Sequence, residues 1–225
     1  MSPLQVLYED NHLIAIAKPA PLPTMGVREG ETSAVTLVKE YLKQKYNKPG
    51  NVYLGVVSRL DSMVTGVLLF ARTSKAAARL NEQFRARSTE KSYQAIVSGS
   101  GHLTAGKLTD WIRKDEANHR MVTSRHALPG AQRAELQVES VEELPAGLLL
   151  GLRLITGRKH QIRAQLASRR MPIVGDRKYG SSVPFAAGIA LHAAQLTIEH
   201  PVTHEKLTLQ ANRPPSWRKF LGNRA

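Results

Sequence analysis

Apolar runs at Leu4 to Tyr8 and Leu13 to Ala17, parted by Glu9-Asp10-Asn11, predict a β-hairpin at the start of the chain. Three prolines between Lys18 and Pro23 then break the pattern and predict a loop, because proline fixes φ and has no N–H to donate. From Thr32 to Tyr46, the residues Ala34, Leu37, Val38, Tyr41 and Leu42 recur at the spacing of one buried helical face, with lysines opposite. Lys48-Pro49-Gly50 ends that helix. Val52 to Val57 and Gly66 to Arg72 read as strands, and Ser74 is placed to cap a helix whose Ala76, Leu80 and Phe84 share a face. Asp61 therefore falls between two strands.

The second half is richer in strand, at Tyr93 to Val97, Ala134 to Val141, Leu148 to Ile155, Ala194 to Glu199 and Lys206 to Gln210. Residues 99–133 carry Gly101, Gly106, Pro129 and Gly130 among mixed charges, which predicts a long mobile insertion rather than a domain linker. The stretch Arg213 to Lys219 is expected at the surface and frayed. No repeat emerges at periods of about 20 to 50 residues. The expected fold is α+β, a mixed, largely antiparallel central sheet flanked by helices and loops, in one domain over residues 1–225.

Composition narrows the partner. With 32 Lys+Arg against 18 Asp+Glu, the net charge of +14 points to a polyanion, nucleic acid before an anionic membrane surface. No apolar run approaches the roughly 20 residues of a membrane span, and the N-terminus lacks the layout of a signal peptide, so a cytoplasmic protein is expected. Cysteine is absent, which excludes disulfides and thiolate ligands. The eight histidines are read as forming no ligand set, so no structural metal is expected.

Three segments carry candidate chemistry. Thr156 to Ala167 turns from strand into helix with Arg158, Lys159, His160 and Arg163 and no acid. Arg163, three residues after His160, is expected on one exposed basic helical face, which could equally be a solvated surface. Asp61 stands next to Leu60 and two positions after Arg59, where an Asp most often serves a turn. Alternation places Lys91, Tyr93 and Ala95 on one strand face, where a Tyr is ordinarily core.

Ser58-Arg59-Leu60-Asp61 with Val64-Thr65-Gly66, Lys91-Ser92-Tyr93, and Thr156 to Ala167 together resemble the motif set of the RluA-type RNA pseudouridine synthases. Leu7-Tyr8-Glu9-Asp10, Ile14 to Pro19, Pro172 to Gly180 and Leu191-His192-Ala193 extend the resemblance over most of the chain. Within these segments Asp176 and Tyr179 are read as shaping the catalytic cleft, and His192 as structural. Ser58 stands where His is common in the family, Val64-Thr65 where Thr-Ser is common, and Lys159 where Thr is common.

The resemblance implies the pseudouridine synthase fold and the isomerisation of uridine to pseudouridine in structured RNA, ribosomal or transfer. It makes Asp61 the nucleophile or the base, with the alternatives open. Arg59 would help to extrude the nucleotide, Tyr93 would lie against the base, and Arg163 would pair with the Asp61 carboxylate and keep it ionised. Arg158, Lys159, the helix N-terminus, His160 and Lys91 would grip RNA. No cofactor or metal is implied, no protein partner and no separate RNA-binding domain of the S4 type, and the expected state is a monomer. The rival reading is a catalytically inactive RNA-binding or ribosome-assembly factor on the same fold. An RNA hydrolase is disfavoured because Val52 to Arg79 holds no second acid to help bind a metal.

Overall fold

The computed structural model describes residues 4–28 and 30–222. In chain order the elements are β1 (Val6–Glu9), β2 (Leu13–Lys18), α1 (Ala34–Lys45), β3 (Gly55–Val56), β4 (Thr65–Ala71), α2 (Ser74–Ala86), β5 (Glu90–Val97), β6 (Gly106–Asp115), β7 (Arg120–Ser124), β8 (Gln132–Leu144), β9 (Gly147–Leu154), α3 (Gln161–Ala167), β10 (Leu191–Glu199), β11 (Lys206–Gln210) and α4 (Arg218–Leu221). Short 3-10 turns occupy Arg177–Tyr179 and Pro215–Trp217. The chain divides into two compact units. One runs up to Thr89 and includes Ala193–Asn212; the other holds Glu90–His192 and the chain from Arg213 onward.

In the first unit β1 pairs antiparallel with β2, β2 with β4, and β4 neighbours β10, while β3 joins β4 and β11 joins β10. Leu13 and Ala15 of β2, with Val67 and Leu69 of β4, pack with Ala76 and Leu80 of α2 and with Leu196 and Leu209. The alternate residues Ile14, Ile16, Leu68 and Phe70 pack with Ala34, Val38 and Leu42 of α1. Both faces of β2 and β4 are thus covered, which is why these strands read as unbroken apolar runs rather than alternating ones. Each such Leu, Ile, Val or Phe side chain contributes about 1.5–3 kcal/mol on full burial.

Local signals fix the helix starts. Ser33 caps α1 in a reciprocal box: its Oγ accepts the Thr36 N–H at 3.2 Å, and Thr36 Oγ1 accepts the Ser33 N–H at 2.8 Å. α2 is capped by Thr73, not by Ser74 as expected. Thr73 has the extended backbone a cap requires and accepts the Ala76 N–H at 3.2 Å, whereas Ser74 is already helical.

The second unit is built on antiparallel strands in the order β5-β9-β8-β6-β7. Its buried apolar residues include Ile96, Leu136, Val138, Leu150 and Leu152. Where the sequence predicts an insertion at residues 99–133, the chain forms β6 and β7. The pattern was obscured by a buried acid: Leu108, Asp110 and Ile112 alternate with Lys107, Thr109 and Arg113, so a charge sits in an inward slot. Asp110 is tolerated there because Gln165 Nε2 donates to it at 2.7 Å and Arg169 Nη1 at 2.9 Å. Two further expectations are corrected. The strand expected over Val52 to Val57 shrinks to Gly55–Val56. The C-terminal stretch is not wholly a frayed surface, since Trp217 is 1% exposed beneath its 3-10 turn.

Candidate active site

In the first unit Asp61 lies in the loop between β3 and β4, and its carbonyl accepts the Val64 N–H at 3.0 Å to close a turn. Both of its neighbours are pinned. Thr24 Oγ1 accepts the Leu60 N–H at 3.1 Å and donates to the Leu60 carbonyl at 2.8 Å. The Ser62 carbonyl accepts the Leu22 N–H at 2.9 Å and the Lys18 ammonium at 3.2 Å. Lys18 Nζ also donates to the carbonyls of Pro19 at 2.9 Å and Leu22 at 2.8 Å, so all three of its protons have acceptors.

Lys18 is 1% exposed. Burial pushes its amine down to about 7, and the Asp61 carboxylate, acting through charge, opposes that fall. Gly66, the last residue of the Asp61 motif, has φ +118°, and a Cβ there would lie 2.2 Å from the Ala193 carbonyl oxygen. Glycine is required for β4 to approach Ala193 this closely just after the loop. Arg59 is exposed on the same loop.

In the second unit Tyr93 is half-buried on β5, directly opposite Leu152 of β9. Lys91, two residues earlier on that strand, brings its Nζ to the Gly157 turn, 3.8 Å from where a Cβ would stand there. That turn is braced from within by Gln161, whose Oε1 accepts the Arg158 N–H at 3.0 Å and the Thr156 hydroxyl at 2.8 Å. Its Nε2 donates to the Glu135 carbonyl at 3.0 Å.

The expected exposed basic helical face is corrected. His160 has a left-handed backbone, φ 51°, so it precedes α3 instead of sharing a face with Arg163. Arg163 is 6% exposed, and its Nε and Nη2 hold Asp176 in a bidentate pair at 2.7 and 2.8 Å. A guanidinium can be buried there because Asp176, itself 1% exposed, supplies the matching charge. The Tyr179 ring lies under that guanidinium, 4.9 Å from its centroid. α3 is seven residues long, and the Arg158 N–H in the turn before it is bonded to Gln161. Lys159 is exposed, while Arg158 is half-buried and donates to the Arg133 carbonyl at 3.2 Å.

The histidine spacing also needs correction, because His200 and His204 stand four apart as a metal pair can. Here His200 Nε2 faces Asp10 at 2.8 Å, its Nδ1 accepts the N–H groups of Val202 and Thr203, and His204 faces Glu199 at 2.7 Å. Among the described residues no group of three or more His, Asp or Glu side chains could hold a metal ion. No helix among them is long and apolar enough to cross a membrane.

The residues that motif reading missed are the supports Lys18 and Thr24, together with the direct hold of Asp176 and Tyr179 on Arg163. One signal was available for Lys18, a lone charge ending the apolar run Ile14 to Ala17. Nothing marked Thr24.

A family model described as RNA pseudouridylate synthase matches residues 12–168, a span that contains Arg59, Asp61, Lys91, Tyr93 and the Arg158 to Arg163 segment. The chain belongs to the RNA pseudouridylate synthase family. It is 34% identical over 236 residues to a ribosomal large subunit pseudouridine synthase D of Xanthomonas campestris, covering 97% of this chain and 69% of that protein. It is 30% identical over 241 residues to a tRNA pseudouridine synthase C of Yersinia pestis, covering 97% and 90% respectively. The solved structure of human RNA pseudouridylate synthase domain containing 4 superposes with a TM-score of 0.78 at 26% identity, covering 96% of this chain and 92% of that one. As an RNA pseudouridine synthase, the enzyme isomerises uridine in RNA. Its α+β architecture, with a largely antiparallel sheet, is that of this family.

Proposed function

We propose that Asp61 is the nucleophile or base of the isomerisation, that Tyr93 holds the detached uracil, and that Arg163 supplies the cationic partner of the catalytic carboxylate. The observation that carries this reading is the clamp on Asp61. An exposed turn would need no support, whereas this carboxylate is flanked by two anchored residues and lies in the field of a buried ammonium.

In the reaction the bond from ribose C1′ to uracil N1 breaks, the base turns, and C5 bonds to C1′. The proton on C5 leaves and N1 gains one, so composition is unchanged. Asp61 serves this either by attacking the sugar or by removing a proton from it. The nucleotide must first leave its stack at about a few kcal/mol, and Arg59, exposed beside Asp61, fills the vacancy. Arg158, Lys159, His160 and Lys91 neutralise backbone phosphates. The substrate is ribosomal or transfer RNA, in keeping with the relatives named for each. The enzyme works in the cytoplasm as a monomer without protein partner or cofactor, and light scattering should give a mass near 24.8 kDa.

Pseudouridine mapping of cellular RNA with and without the gene, and with Asp61→Asn restored, tests the assignment. A site lost on deletion and not recovered by Asp61→Asn is expected, while the variant's RNA affinity stays within about tenfold because phosphates dominate binding. Full activity of Asp61→Asn would remove Asp61 from the chemistry. A map unchanged by deletion would favour the RNA-binding factor.

A further inference from the structure

Tyr179 belongs to no step of the chemistry above, yet α3, the residue that caps it and β7 all converge on it. Its ring is 8% exposed and lies under the Arg163 guanidinium at 4.9 Å. Its hydroxyl oxygen accepts the N–H of Met121 on β7 at 3.0 Å, and it lies 2.9 Å from Nδ1 of His160, the residue just before α3. The His160 and Tyr179 rings also meet edge to face, 5.7 Å between centroids. β7 is the outer strand of its sheet, and its ladder partner is β6. The Met121 N–H points away from β6 and is taken up by the tyrosine, a donor that would otherwise be left to solvent. The root of the same hairpin is held to α3 separately, through Asp110 with Gln165 and Arg169.

We propose that Tyr179 is a positioning residue that couples the β6–β7 hairpin to the guanidinium of Arg163. Asp176 fixes the fork of that guanidinium within its plane, through Nε and Nη2. Tyr179 fixes the height and tilt of the plane, because the cation rests on its ring and the ring is held at its far end by Met121 and His160. Removing the hydroxyl leaves the ring in place but frees it to pivot, and the arginine pivots with it. The inference rests on the reading that Arg163 serves the catalytic carboxylate.

The test uses the full chain and an RNA containing its mapped uridine. It compares Tyr179→Phe, Met121→Pro, the double variant and Arg163→Lys by single-turnover rate at saturating RNA, RNA affinity and melting temperature. Proline at 121 removes the one N–H in question at a sheet edge, where proline is tolerated. Tyr179→Phe and Met121→Pro are each expected to slow the step about three- to tenfold, in line with one hydrogen bond, with RNA affinity within twofold. The double variant should be no slower than the slower single one, since both break the same link. Wild-type rates in both single variants, additive losses, or losses that follow melting temperature or RNA affinity would each overturn the coupling. If Arg163→Lys is slowed while the other two are not, the coupling alone fails. If Arg163→Lys turns over at the full rate, the role given to the arginine fails and the coupling with it.

Discussion

Lys18 is the side chain with the most improbable setting, an ammonium at the end of a strand buried on both faces. Burial pushes its amine down to about 7 from the ordinary 10.5. The folded protein therefore releases this proton near pH 7, while the unfolded chain keeps it to about 10.5, so between these values the unfolded state holds more protons. By linkage, the Lys18 contribution to unfolding free energy rises with pH through that window. Lys18→Met cannot titrate. Urea unfolding at pH 7.5, 8.5 and 9.5 should show a flatter rise for the variant than for the parent, and parallel slopes would refute the lowered pKa of Lys18. The roles proposed for Asp61 and Tyr93 come from the sequence, where their neighbours form motifs. Periodicity alone makes Asp61 a turn residue and Tyr93 core. Arg163 was placed on an exposed face, since nothing local shows that the chain returns at Asp176 to neutralise it.

Most elements were legible from period and punctuation. The hairpin of β1 and β2, helix α1 and strands β4, β5, β9 and β11 lie where the patterns put them, within a few residues. Misses came where two signals competed. Thr73 and Ser74 are both capping types, and only the backbone separates them: Thr73 is extended and Ser74 is not. Thr73→Ala should cost about 1 kcal/mol in chemical unfolding, whereas Ser74→Ala should stay within about 0.5 kcal/mol. Equal losses would mean that the cap is shared. β6 was hidden because Asp110 occupies an inward slot, which breaks the alternation on which strand recognition depends. Its partners Gln165 and Arg169 lie more than 50 residues away in sequence.

At the scale of the molecule, the net charge of +14 makes RNA binding a salt-dependent equilibrium. Each phosphate neutralised contributes about 0.7 to 0.9 to the slope of log affinity against log salt. Replacing Arg158 and Lys159 together by Ala should lower that slope by about 1.5, measured by filter binding across about 50 to 200 mM salt. An unchanged slope would take these two residues off the RNA.

The family motifs and the periods of strand and helix are written in neighbouring side chains, and the basic balance is their sum, so all three are readable without the fold. What covers each strand face, that Asp176 grips Arg163, and what pins the Asp61 loop emerge only when the chain packs. Those contacts join residues far apart in the chain, as Lys18 and Ser62 are, 44 positions apart. A hydrophobic or charged pattern states that a side chain must be buried or paired, but its partner is set by which distant segments can pack against it at atomic distance.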